Sequence, residues 1–204
     1  MKFVRSLQNS RRTLVFLSGT GRLGGAEEAT GFKMQMIPAG RIGHEVIPVP
    51  GEKVNMRSEM FNELITRYLG LKKHNKYDLP TRFSVVPDPG VRVRAIYRSD
   101  NAPAVAEKDF AAYRSVAVTC AGGLTPEYFH ELTASAGGFT VCRPGMQANI
   151  NGNFVSLHCL IPGEYTINLP RKCTAVNLKS GKSQVTDTIK LNAVASSSYW
   201  YLLK

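Results

Sequence analysis

The last third of the sequence constrains the fold most, because short apolar segments alternate there with turn residues and helical spacing is missing. Five segments between residues 153 and 204 have the composition of strands: NFVSLHCL, GEYTINLP, TAVNLKSG, DTIKLNAV and SSYWYLLK. Turn signals accompany them at Pro144-Gly145, Asn151-Gly152, Pro162-Gly163 and Ser180-Gly181. Five strands and their turns in about fifty residues predict a small antiparallel sandwich or sheet, of which we expect the β-sandwich. We place this domain at residues 146–204.

Residues 1–145 mix strand and helix signals and predict an α/β domain. TLVFLS is typical of a buried strand, and a short helix around 26–30 is closed by Gly31. The segment from residue 32 to 51 predicts a hairpin or two short strands, and RFSVVPDPGVRVRAIYRSDNAPAVAEK predicts three more. A helix capped by Ser58 and ended by Gly70 carries one apolar stripe.

The best α/β unit is YRSVAVTCAGGLTPEYFHELTASAGG, which predicts a strand, a tight turn and a helix. Thr125 is the expected N-cap and Pro126 the first helical residue. Phe129, Leu132 and Ala136 are expected to face inward, and Gly137-Gly138 to stop the helix.

Three glycines, Gly19, Gly21 and Gly24, have the G-x-G-x-x-G spacing of a dinucleotide-binding turn. Such a turn needs a longer helix behind it than the one that Gly31 closes after about two turns. Glu45, about twenty residues on, falls in the predicted hairpin instead of at a ribose-binding position. We therefore predict a turn at a strand end and no cofactor.

Charge and cysteine spacing argue against two further classes of protein. The chain has 26 Lys and Arg against 15 Asp and Glu, but these basic residues are scattered, which indicates a solvated surface and no nucleic-acid partner. The four cysteines form no C-x-x-C pair and have no histidine at zinc-ligand spacing, so we predict reduced thiols and no metal.

The N-terminus has no long apolar segment. Its apolar run, Thr13 to Leu17, is too short for a signal peptide or a membrane span. The expectation is a cytoplasmic chain without a membrane partner, unless the chain is an N-terminally incomplete fragment, in which case its localisation is unknown.

Two residues are candidates for a site. Cys120 follows an apolar strand and precedes a helix, the layout of a nucleophile elbow, although a small buried thiol at a strand end has the same sequence context. Trp200 offers a face on which a sugar can stack, or packs in the core or an interface. On a strand, Trp200 faces one way and Tyr199 and Tyr201 the other.

The order of several motifs resembles one family. The motifs of Asn153 to His158, Gly163 to Pro170, Ala175 to Lys182 and Tyr199 to Leu203 resemble the C-terminal β-domain of bacterial glycoside hydrolases that have a (β/α)8 catalytic barrel. Upstream, RRTLVFLSGTGRLGG, TRFSVV, IYRSDNAPAVAEKDFAAYRSVAV and LTPEYFHELTASAGGFTV look like the amidotransferase-like trimerisation domain of family-42-type β-galactosidases and their uncharacterised relatives.

The resemblance implies a partial flavodoxin- or amidotransferase-like three-layer domain, truncated at its N-terminus, followed by the β-sandwich. It implies a non-catalytic accessory or oligomerisation region, whose partner is a second copy of the chain or a glycosidase barrel. The catalytic carboxylates of such enzymes lie on the barrel, so no catalytic residue carries over and no activity is expected of this chain alone.

Two alternatives stay open. The chain is a carbohydrate-binding module that uses aromatic residues of the β-domain, or a hydrolase or amidotransferase that depends on Cys120. Against the latter, Val118 stands where amidotransferases have a glycine, and their downstream His-x-Glu is missing.

Overall fold

The computed structural model describes residues 2–17, 23–37, 46–52, 82–120 and 124–204. Strands predominate over helices, and the backbone separates into two compact units, Met1–Phe129 and His130–Lys204. The helix predicted from Ser58 to Gly70 and the glycine turn at 18–22 lie outside the described residues.

The first unit contains a five-stranded mixed sheet. Its elements are α1 (Lys2–Gln8), β1 (Thr13–Leu17), α2 (Leu23–Thr30), β2 (Met34–Ile37), β3 (Val46–Pro48), β4 (Arg82–Val85), β5 (Val91–Tyr97), β6 (Pro103–Asp109), β7 (Arg114–Val118) and the start of α3 (Pro126–Ser135). The sheet has the order β1-β7-β6-β5-β3, in which β1 and β7 are parallel and the other pairs antiparallel. The predicted α/β character is therefore present only in part.

The strand predicted from residue 13 onwards is present as β1, but its side chains are half-buried or exposed instead of buried. The three strands predicted between residues 82 and 108 are present as β4, β5 and β6. The segment from residue 32 to 51 forms two short strands instead of a hairpin: β2 pairs with β4 in a separate two-stranded sheet, and β3 pairs with β5. Helix α2 ends where expected, because Gly31 has a φ of 75° and a side chain there would overlap the ring of Phe110.

Buried polar side chains connect β5, β6 and α3. Arg94 on β5 is 2% exposed and lies 3.1 Å from Glu52 and 3.4 Å from Glu107. The hydroxyl of Tyr128 on α3 donates a 2.7 Å hydrogen bond to Glu107, and the Arg94 guanidinium lies 5.6 Å from the centre of the Tyr128 ring. This buried ion network attaches the first turn of α3 to the sheet.

The inward face of α3 differs from the prediction by one residue. Thr125 caps the helix as expected, since its hydroxyl accepts a hydrogen bond from the Tyr128 amide, and Gly137 follows the helix with a φ of 70°. Tyr128 and Leu132 are buried, whereas Phe129 and Ala136 are exposed. The hydrogen bond of Tyr128 to buried Glu107 decides this orientation, which apolar spacing alone does not reveal.

The second unit contains one five-stranded antiparallel sheet. Its strands are β8 (Met146–Asn151), β9 (Phe154–Cys159), β10 (Gly163–Asn177), β11 (Ser183–Ala193) and β12 (Ser198–Leu203), in the order β11-β10-β12-β9-β8. The antiparallel arrangement is confirmed. The sequence missed β8, and its second and third strand candidates are two halves of β10.

The strands of the second unit form one sheet and no sandwich, and the pairing of β10 with β11 within this sheet is irregular. The pairing of β10 with β11 is interrupted between Asn168 and Cys173, around Pro170, which has no amide hydrogen to donate. Tyr165 and Ile167 precede the interruption and share one core with Val155 and Leu157 of β9. The first half of β10 pairs with β11, whereas its second half pairs with both β11 and β12.

The described helices are short. None of them combines the length and the apolar character that a membrane span requires. All four cysteines are free thiols, and Cys120, Cys159 and Cys173 are buried.

Candidate functional site

A surface groove in the second unit is the candidate site. It lies where the end of β10 meets the start of β12, and it is lined by Leu178, Lys179, Ser197, Ser198 and Trp200. Its volume of about 430 Å³ falls in the range of small-molecule sites.

Trp200 supplies the aromatic wall of this groove. The residue lies opposite Ser156 in the β9–β12 register, and its carbonyl accepts a 3.0 Å hydrogen bond from the Leu178 amide. Tyr201 next to it is buried in the core, and Tyr199 packs against that core, while Trp200 keeps 42% of its surface exposed. The predicted alternation of these three aromatic residues is confirmed.

A tight turn after β10 positions Leu178 and Lys179. The Asn177 side-chain oxygen accepts hydrogen bonds from the amides of Lys179 and Ser180, at 2.9 and 3.0 Å. The Asn177 carbonyl accepts a 2.8 Å bond from the amide of Gly181, whose φ of 70° favours glycine. These bonds within the turn, together with the bond from the Leu178 amide to the Trp200 carbonyl, hold both residues at the groove.

The serine side of the groove is attached to β9. The Cys159 amide donates a 2.9 Å hydrogen bond to the Ser197 carbonyl, and Ser198 lies opposite His158 in the strand register. The Ser198 hydroxyl and His158 Nδ1 are 2.9 Å apart. This bond orients the hydroxyl, which retains hydrogen-bonding capacity for a ligand. His158 is thus a hydrogen-bonded histidine on β9.

The groove is suited to binding. Its lining combines an indole face, two hydroxyl groups, one ammonium group and a leucine. The five lining residues include no carboxylate, so the pair of acids that glycoside hydrolysis needs is not among them. Across the described ranges of the chain, no group of three or more His, Cys, Asp and Glu residues could hold a metal ion.

The other predicted site residue, Cys120, lies in the first unit. It follows β7 by two residues and is 4% exposed, so a substrate has little access to its thiol. Residues 121–123, which would complete a nucleophile elbow, lie outside the described residues. The proposed nucleophilic role of Cys120 stays a prediction.

Of the groove residues, the sequence identified Trp200 alone. The turn at Ser180-Gly181 was predicted, but nothing in the sequence connects it with Ser197 and Ser198 about twenty residues later. The pairing of Ala175–Asn177 with Tyr201–Leu203 brings these two segments together. Pairing between distant segments is the information that local patterns do not contain.

Solved structures of β-galactosidases reproduce the fold of nearly the whole chain. The enzyme from Bacillus circulans sp. alkalophilus matches 99% of this chain at 12% sequence identity, with a TM-score of 0.52. The enzyme from the Antarctic haloarchaeon Halorubrum lacusprofundi matches 100% of it at 12% identity, with a TM-score of 0.54. A catalytic mutant of a GH42 β-galactosidase from G. stearothermophilus also covers 100% of it, at 14% identity and a TM-score of 0.44.

The match covers only part of each of these enzymes. The chain corresponds to 31%, 29% and 30% of their respective lengths. No protein-family model and no curated protein sequence matches the chain. The sequence identity is low, so the likeness concerns the fold alone: the chain has the fold of a part of two β-galactosidases, which agrees with part of the resemblance that its motif order predicts.

Proposed function

We propose that this chain is a non-catalytic accessory region of a glycosidase-like protein, in which it promotes oligomerisation or supports a catalytic barrel. The supporting observation is that nearly the whole chain is similar in fold to a part of two β-galactosidases. That part amounts to 31% of one enzyme and 29% of the other.

The division of the chain into two domains is part of the same proposal. Residues 1–145 would be the remainder of an amidotransferase-like α/β domain and residues 146–204 the β-domain. The parallel pairing of β1 with β7, and the attachment of α3 to the sheet through Tyr128, support the first part. The antiparallel pairs of β5 and β6 depart from a doubly wound parallel sheet.

Sedimentation velocity on the full chain tests the oligomerisation role. We expect the mean mass to rise with protein concentration above that of the 22.4 kDa chain. The DNA next to the coding sequence tests the second role, since an adjacent segment that encodes a barrel would supply the catalytic partner. A strict monomer at every concentration, with no such segment nearby, would contradict the proposal.

A second candidate function, carbohydrate binding, is favoured by the groove at Trp200. A half-exposed indole face beside two serine hydroxyls suits a pyranose ring, which has an apolar face and hydroxyl groups at its edge. Isothermal calorimetry with galactobiose and with plant oligosaccharides tests it. Saturable binding that Trp200→Ala abolishes is expected, and flat titrations with all of these sugars would end this candidate.

A further inference from the structure

The groove carries a positive charge that no neighbouring carboxylate balances. Lys179 is one of the five lining residues. Among the described residues, no acidic side chain lies within ion-pairing distance of its ammonium group. The second unit, which is described in full, has three acidic residues, Glu131, Glu164 and Asp187, and none of them lines the groove.

We propose that the groove binds an acidic sugar, a pyranose ring that carries a carboxylate, as in a hexuronic acid residue. This inference rests on the carbohydrate-binding function proposed above and specifies its ligand class. The indole of Trp200 takes the apolar face of the ring, and the hydroxyls of Ser197 and Ser198 bond ring hydroxyls. Lys179 pairs with the carboxylate through a charge-assisted hydrogen bond.

The combination of side chains separates this ligand from simpler ones. A neutral sugar would occupy the indole and the serines but leave the Lys179 ammonium, partly dehydrated by the ligand, without a partner. A small carboxylate such as acetate would pair with Lys179 but leave the indole face uncovered. A carboxylate on a pyranose ring engages all three kinds of group at once.

The backbone around Lys179 makes this pairing specific to one residue. Both Lys179 and Lys182 are exposed, and only Lys179, which the Asn177 turn places at the groove, lines it. The two lysines share one turn and carry the same charge. Lys182 is therefore a matched control for an effect that depends on position and not on net charge.

Fluorescence of the full-length chain provides a direct test, because Trp200 is its only tryptophan. Digalacturonate, galactobiose and sodium acetate are titrated separately while the tryptophan emission is recorded. We expect a saturable change with digalacturonate at lower concentrations than with galactobiose, and none with acetate. Added salt should weaken binding of digalacturonate and leave galactobiose binding unchanged, since salt screens only the charged contact.

Two lysine variants then test whether Lys179 is the residue that pairs with the carboxylate of the ligand. Lys179→Gln should weaken digalacturonate binding about tenfold and bring it close to the affinity for galactobiose. Lys182→Gln should change it by less than about twofold. Circular dichroism melting curves check that both variants fold, and Lys179→Arg, which retains the charge, should restore most of the affinity.

The outcomes separate the inference from the function on which it rests. If galactobiose binds as tightly as digalacturonate, and Lys179→Gln affects neither, the acidic ligand class is wrong while carbohydrate binding stands. If neither sugar binds, carbohydrate binding itself fails and the inference fails with it. If acetate reproduces the effect of digalacturonate, the groove binds a carboxylate without recognising a sugar, which also overturns the inference.

Discussion

The interiors of the two units differ in polarity. The buried polar and charged side chains of the described residues, which are Thr30, Ser84, Arg94, Glu107, Ser115 and Thr119, all belong to the first unit. The core of the second unit consists of aliphatic side chains, two tyrosines, a methionine and two cysteines. The first unit should therefore be sensitive to loss of a charge, and the second to loss of apolar volume.

The largest effect is expected from Arg94→Met. Glu107 and the largely buried Glu52 would lose the cation between them, so the free energy of unfolding of the first unit should fall by about 3–5 kcal/mol. Urea unfolding followed by alkylation of buried Cys120 reports on this unit. Arg92→Met is the control on the same strand, because the Arg92 side chain is 62% exposed and water screens its ion pair with Glu52. A loss below that caused by Arg92→Met would show that the buried network does not stabilise the unit.

Leu157→Ala is the corresponding change in the apolar core. Leu157 is fully buried on β9, and its truncation should lower the free energy of unfolding of the second unit by about 2–5 kcal/mol, because a cavity remains. Alkylation of Cys159 and Cys173 in urea measures this loss. Leu178→Ala, at the exposed groove, should cost far less. Equal losses in the two variants would contradict the assignment of the core.

Tyr128→Phe removes one hydrogen bond from the buried network and keeps the ring. The free energy of unfolding of the first unit should fall by about 1–3 kcal/mol, because the buried Glu107 carboxylate loses a hydrogen-bond donor. Hydrogen exchange of the α3 amides should show the effect, and Phe129→Tyr on the exposed face of the same helix should show almost none. A larger effect at Phe129 would support the helix orientation predicted from apolar spacing.

Trp200→Ala should change stability least, by about 0.5 kcal/mol or less, because Trp200 is a half-exposed side chain outside the core. Tyr201→Ala, one residue away, should cost several times as much, since Tyr201 is buried. Thermal melts monitored by circular dichroism compare the two. A cost for Trp200→Ala as large as that for Tyr201→Ala would indicate a packing role for this indole.

The reactivity of each thiol in the native chain should depend on how deeply that thiol is buried. Cys142 is half-buried, and burial raises the pKa of its thiol, so alkylation should be slow at neutral pH and accelerate as the pH rises. The three buried cysteines should react only after unfolding. Mass spectrometry after iodoacetamide treatment identifies the labelled peptide. Fast labelling of native Cys120 at neutral pH would instead support the prediction that Cys120 is a nucleophile.

Local sequence patterns were sufficient to predict the structure of a segment where its neighbouring residues alone determine it. Thr125 and Pro126 mark the start of α3, Gly31 and Gly137 mark helix ends, and the alternation around Trp200 separates exposed from buried residues. Capping, a positive φ and period-two alternation each depend on a few neighbouring residues, so the sequence is sufficient for them.

Patterns were insufficient where a distant partner decides the outcome. The inward face of α3 depends on Glu107, and the two halves of β10 form one strand because β11 pairs with both of them. The separation of β2 from β3 likewise depends on β4 and β5. In each case two local interpretations of the segment exist, and a contact across the fold selects one.

By itself, therefore, the sequence determined most of the strands and turns, the start of α3, the ends of α2 and α3, and the exposed face of Trp200. Only the tertiary structure decided which strands pair, where Arg94 and Glu107 meet, and that Lys179 and Ser198 line one groove with Trp200. The physical reason is range: capping and alternation act over a few residues, whereas sheet pairing and buried ion pairs join groups far apart in the chain.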